Sequence, residues 1–135
     1  MGRRALIVLD THVLIYDALT PARLSVRARN TIALAFTERS LACSDISLWE
    51  IAMLIARKRL DPVMDARQFL DDMIAARHVR VLSITAEIAV LSQSNVFSHG
   101  DPADRLIAAT ARLHRAPLIT SDAKLRKLKE VTTIW

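Results

Sequence analysis

Glycine is nearly absent from this 135-residue chain, which carries two, and cysteine occurs once, as Cys43. A single thiol excludes an internal disulfide and a thiolate metal cluster, and it suits a reducing compartment, the cytoplasm. Six aromatic side chains are too few for a groove that stacks successive bases of a single strand. No apolar run approaches the ~20 residues of a membrane span, so no membrane partner is expected. The opening MGRRALIVLD carries two arginines, but its apolar run is short and ends in Asp10, unlike the longer core of a signal peptide. Repeats, low-complexity tracts and linkers are also missing, and the length suits one domain over residues 1–135.

Apolar residues make up 52% of the chain, enough for a compact, helix-rich core. The net charge is +5, with basic groups at Arg57-Lys58-Arg59 and from Lys124 to Lys129. Such an excess suits a polyanionic partner, most simply nucleic acid; a solvated basic surface is the plainer alternative.

ALIVL at 5–9 is a continuous run of β-formers and predicts a strand buried on both faces, as in a parallel sheet. Helical patterns run over His12–Leu19, Leu24–Arg39 with Ser25 as a cap, Asp45–Arg59 and Pro62–Arg77. Two more run over Thr85–Gln93, capped by Thr85, and Pro102–His114. Further strands are predicted at LACS (41–44), VRVLSI (79–84), APLITSD (116–122) and VTTI (131–134), with a short basic helix before the last. NVFSHG reads as a loop. Strands and helices alternate throughout, which predicts an α/β fold with a central, mainly parallel sheet flanked by helices on both faces. Ligands in such folds bind outside the carboxyl ends of the strands, where the strand order reverses.

The acids are therefore judged by their distance from strand ends. Asp10 and Asp122 each end a predicted strand, where a strand-exit turn or a helix cap explains them equally well. Glu50 stands in LWEIAMLIA, and a buried carboxylate there needs a partner, either Arg57, a neighbouring helix or a cation. Asp101 suits an N-cap, Pro102 the first helical position and Asp104 the third, where negative charge meets the positive end of the helix dipole. Capping alone accounts for both aspartates unless they meet other acids. If Asp10, Glu50, Asp104 and Asp122 converge on one rim, each pair at ~4 Å costs about 4 kcal/mol at an effective dielectric of about 20. A cation, or protonation of some members, then has to hold them together. Oxygen donors without cysteine or paired histidine suit Mg2+ or Mn2+, which activate water for attack on phosphodiesters.

These residues fall into four blocks: LIVLDTHVLIY (6–16), SDISLWEIAML (44–54), HGDPADRLIAATA (99–111) and PLITSD (117–122). In this order they resemble the PIN-domain ribonucleases of the VapC toxin type, over nearly the whole chain. The resemblance implies an α/β sandwich and Mg2+- or Mn2+-dependent cleavage of RNA by Asp10, Glu50, Asp104 and Asp122. Thr11 and Thr120 match small polar positions that orient a carboxylate or a metal water. Asp101 matches an acidic position where capping comes first and metal support second. The resemblance also implies a homodimer and a cognate VapB-type antitoxin whose C-terminal segment fills the groove.

The chain departs from that pattern in places. His12 stands where many relatives carry Asn and is read as a structural hydrogen-bonder. RKRL at 57–60 lacks a glycine common before the Arg or Lys and Leu. Arg105 is expected to pair with Asp101 or Asp104, His99 is a candidate proton donor, and Trp49 and Met53 are expected in the core or a dimer interface. Three rival readings stay in view. A phosphoacceptor switch needs an acid beside Asp10 and a lysine after a late strand, neither of which is present. A haloacid-dehalogenase type needs Asp where His12 stands. A catalytically idle RNA- or antitoxin-binding module is disfavoured by the presence of all four acids.

Overall fold

A computed structural model of the chain describes residues 5–97 and 100–135. His99, the candidate proton donor, lies outside the described residues. β1 (Ile7–Leu9) leads to α1 (Thr11–Leu19), a 3₁₀ turn at Pro21–Arg23 and α2 (Val26–Thr37). β2 (Leu41–Ser44) leads to α3 (Ile46–Ala56) and α4 (Ala66–Arg77). β3 (Arg80–Leu82) is followed by α5 (Ala86–Leu91), a 3₁₀ turn at Asn95–Phe97 and α6 (Pro102–Leu113). β4 (Leu118–Ile119), α7 (Ala123–Arg126) and β5 (Thr133–Ile134) follow.

The strands form one parallel sheet in the order β3-β2-β1-β4-β5. Val8 is central, registered with Ala42 on one side and Leu118 on the other. After β3 the chain crosses back to the far side of β1, so the order reverses between β1 and β4. Their carboxyl ends open the crevice where α/β folds bind ligands. The Asp10 N–H donates to the Ile119 carbonyl at 3.0 Å, which fixes the two strand exits side by side.

Alternation along each strand divides the core between the two sheet faces. Leu9, Leu41, Cys43 and Ile119 pack with Val13 and Leu14 of α1, Ile32 of α2, Ile51 of α3 and Phe69 of α4. Val8, Ala42, Leu82 and Leu118 pack with Ile88 of α5, Ile107 and Ala108 of α6, and Leu125. Burial pushes the lone Cys43 thiol up to about 12, with the Asp45 charge adding to the effect. It is inert packing, not a reactive group.

The predicted caps form: Ser25 accepts from Ala28 N–H at 3.0 Å and Thr85 from Ile88 N–H at 3.2 Å. Helix four starts later than the Pro62 the sequence suggests, at Ala66, because the Asp65 carboxylate accepts from Gln68 N–H and so sets the first turn. The missing glycine at 57–60 has a visible cost. Lys58 follows α3 with φ 56°, a left-handed conformation that costs an L-residue about 1 kcal/mol or more. Lys58→Gly is expected to raise stability by about 1 kcal/mol, read as a higher denaturant midpoint with an unchanged m-value.

Candidate active site

The strand exits and two helix starts supply the acids. Asp10 leaves β1 and begins α1. Its side chain is 5% exposed, and both oxygens are held. One accepts from Thr11 N–H at 2.8 Å and the other from the Thr120 hydroxyl at 2.6 Å. Thr120, fully buried just past β4, has a second role: its oxygen accepts from Asp122 N–H at 3.0 Å. One hydroxyl thus ties the two strand-exit acids together. Asp122 caps α7 through Lys124 and Leu125 N–H at 2.9 and 3.0 Å.

Glu50 reaches the same rim from α3. Thr11 donates its hydroxyl proton to Glu50 Oε1, and the Ser47 hydroxyl lies 2.9 Å from Thr11 Oγ1. Because the one Thr11 proton goes to Glu50, Ser47 is the donor to Thr11. Glu50 therefore meets Thr11, not Arg57, among the described residues. Ser47, which the sequence places beside Glu50 on a narrow polar strip of the helix, joins the site without having been among its candidate residues. Its signal was a hydroxyl three positions before Glu50, on the same helix face.

Asp104 is the electrostatic centre. Burial raises its carboxyl first, then the charges of Asp10, Asp101, Asp122 and Glu50, to about 8. Asp10 and Glu50 are also raised, chiefly by burial, and the hydrogen bonds from Thr120 and Thr11 oppose this. Asp101 caps α6, accepting from Ala103 N–H at 2.9 Å, while its charge acts on both Asp104 and Glu50. It is a cap that also adds to the acidic field. Asp101, Asp104 and Asp122 line an open cavity of about 630 Å³ with Gly100, Ala123 and Lys124.

One expectation is corrected here and another is narrowed. Arg105 forms no ion pair with Asp101 or Asp104 among the described residues; its Nε donates to the Ser92 carbonyl at 2.9 Å. Ser92 is the C-cap of α5, and a guanidinium satisfies the unpaired carbonyls at such a helix end. Of the two placements expected for Trp49, core or dimer interface, its 59% exposure excludes the core.

Among the described residues no three His, Cys, Asp or Glu side chains lie close enough to enclose a metal ion as they stand. The donor set still fits Mg2+ or Mn2+. Magnesium is held by one or two carboxylates and keeps several waters, so it needs no closed cage. The carboxyl pushed up to about 8, by burial and by the neighbouring acids, marks the negative charge gathered at this rim.

A family model described as "PIN domain" matches residues 7–131, and the chain belongs to the PIN-domain family. It is 36% identical over 132 residues to Ribonuclease VapC22 of Mycobacterium tuberculosis, covering 96% of this chain and 98% of that one. Among solved structures, VapBC2 from Rickettsia felis bound to a promoter DNA fragment superposes with a TM-score of 0.72 at 16% identity, over 95% of this chain and 96% of that one. FitAcB from Neisseria gonorrhoeae superposes with a TM-score of 0.65 at 22% identity, over 95% and 96%. At those identities the likeness is one of fold.

The hydroxyl bridge yields a direct prediction. Thr120→Val removes the donor to Asp10 and the acceptor for Asp122 N–H at almost constant volume. Metal affinity or nuclease activity is expected to fall about 10–100-fold, as for other groups that orient metal ligands. Circular dichroism should show the fold retained.

Proposed function

We propose that the protein is a metal-dependent endoribonuclease, the toxin of a VapBC-type toxin–antitoxin pair. The observation that carries this reading is Asp104, half-buried at the β1/β4 crevice among four further acids, its carboxyl raised to about 8 first by that burial and then by their charges. The 36% identity to a named ribonuclease over nearly the whole chain supports RNA as substrate.

Asp10, Asp104 and Asp122 would hold Mg2+ or Mn2+, with Glu50 binding through water or orienting the nucleophile. The metal, when bound, supplies an activated water and neutralises phosphate charge. The protein supplies the positioning. Thr11 and Thr120 hold Asp10 by both oxygens, which keeps them fixed during reaction. The Ser47–Thr11–Glu50 chain aims Glu50 at the attacking water, whose proton it accepts. Water oxygen would bond to phosphorus as the bond to the 3′-oxygen breaks, and that oxygen would take a proton from solvent, giving 3′-hydroxyl and 5′-phosphate ends. Lys124, on the cavity wall, places a cation beside the phosphate that the acids would otherwise repel.

Two partners go with this reading. The exposed Trp49, with Met53 half-buried on the same helix, supports a homodimer built on the outer face of α3. Toxin–antitoxin complexes among the structural relatives, such as one from Klebsiella pneumoniae, support a VapB-type antitoxin. No helix among the described residues is long and apolar enough to cross a membrane, and with the free buried Cys43 this supports a cytoplasmic location.

The test uses protein freed of any co-purified partner. Incubated with RNA and Mn2+, it should release fragments with 5′-phosphate ends, stop when EDTA is added and recover with excess Mn2+. Fragments ending in 2′,3′-cyclic phosphate, or cleavage indifferent to chelator, would refute this chemistry.

A further inference from the structure

The exposed face of α1 beside the acids carries a short ladder of rings and cations. His12 is solvent-exposed in the first turn of α1, two residues past the Asp10 cap. The imidazole therefore stands next to the crevice. One turn on, the Tyr16 ring centroid is 6.1 Å from that of His12, with 53° between the planes. The Arg23 guanidinium, from the 3₁₀ turn after α1, sits 4.6 Å over the Tyr16 ring. The i, i+4 spacing puts both rings on one face, while buried Val13, Leu14 and Ile15 seat the opposite face in the core. His12 is thus the exposed member of a tilted ring pair whose inner ring, Tyr16, is half-buried against the core.

We propose that His12, Tyr16 and Arg23 form the subsite for the RNA nucleotide adjoining the scissile phosphate, with its base stacked on the His12 ring and its phosphate on the Arg23 guanidinium. This rests on the nuclease reading above. The acidic crevice repels the RNA backbone, so the strand needs cations on either side. Lys124 lines the Asp122 side; Arg23, held over the Tyr16 ring within two turns of Asp10 along α1, supplies a cation beyond His12. Unpaired bases are held by stacking on aromatic side chains and guanidinium planes. The one exposed ring suffices for one nucleotide, which accords with the chain's few aromatics. Arg23 gains a fixed position from its contact with Tyr16, so its charge is presented rather than searched for.

The test is steady-state cleavage of a single-stranded RNA oligonucleotide with Mn2+, over a salt series. His12→Ala should raise KM about tenfold, the scale of one lost base stack, with kcat within about twofold. His12→Phe should restore KM, because a ring is restored; His12→Asn should not. Arg23→Gln should raise KM and lower the slope of log KM against log salt by about 1. Mn2+ affinity should be the same in all four variants. Unchanged KM in both His12→Ala and Arg23→Gln overturns the subsite while leaving the nuclease intact. A fall in kcat at constant KM in His12→Ala also overturns it, since His12 would then act in the chemistry. A wild type that cleaves no RNA overturns the nuclease reading, and the subsite with it.

Discussion

Asp104→Asn should make the metal-free protein more stable, and increasingly so as pH rises. In the folded chain the Asp104 carboxyl is raised from 3.8 to about 8, first by burial and then by Asp10, Asp101, Asp122 and Glu50. Below pH ~4 both folded and unfolded states keep the proton and the group costs nothing. Between pH ~4 and ~8 the folded state retains a proton the unfolded state has lost, so stability falls as pH rises. Above ~8 the penalty is complete. Asparagine has no charge to bury or repel, so the variant's advantage should be absent near pH 4, grow through neutrality and level off above pH ~8. Asp104 is only half-buried, and solvent screening reduces the effect. We expect about 1–2 kcal/mol at pH 8, read as a melting temperature about 3–6 °C higher. A variant less stable than wild type at pH 8 without metal would show that Asp104 is mainly a structural cap.

Mn2+ should reverse that order. The same repulsion that raises Asp104 is relieved by a cation, so wild type should gain about 2.7 kcal/mol at a metal concentration about 100-fold above Kd. Asp104→Asn, Asp10→Asn and Asp122→Asn should gain much less, because each removes a charged donor. Thermal melts with and without Mn2+ read both arms in one experiment. Binding is also expected to weaken as pH falls below ~8, since Asp104 must lose its proton to act as a ligand. Equal Mn2+ stabilisation of wild type and Asp10→Asn would place the metal elsewhere.

The acids were legible in the sequence because each is tied to a local signal. ALIVL ends in Asp10, PLITS ends in Asp122, and Asp101-Pro102 opens a helix with Asp104 in its first turn. Strand exits and caps are set by neighbouring residues, and alternating strands and helices then bring them to one rim. The bonds between those segments were not legible. Thr11 meets Ser47 across 36 positions and Thr120 meets Asp10 across 110, and no local pattern records such a pairing. Arg105 illustrates the same limit: the aspartates one and four residues away were the obvious partners, but the helix turns it to the Ser92 carbonyl. Trp49 shows how composition misleads. In α3 nearly every residue is apolar, so apolarity alone did not tell the face on the sheet from the face left open. His12, which in the sequence reads as a structural hydrogen-bonder, is instead exposed, with its ring centroid 6.1 Å from that of Tyr16.

The most direct test of the central claim is cleavage of RNA by wild type and by Asp104→Asn, side by side, each with Mn2+ and with EDTA. Wild type should cut only with Mn2+. Asp104→Asn, folded and more stable without metal, should be slower by about a thousandfold, the scale of losing several kcal/mol of metal-borne charge stabilisation. Cleavage by Asp104→Asn at the wild-type rate, or by either protein in EDTA, would contradict the account.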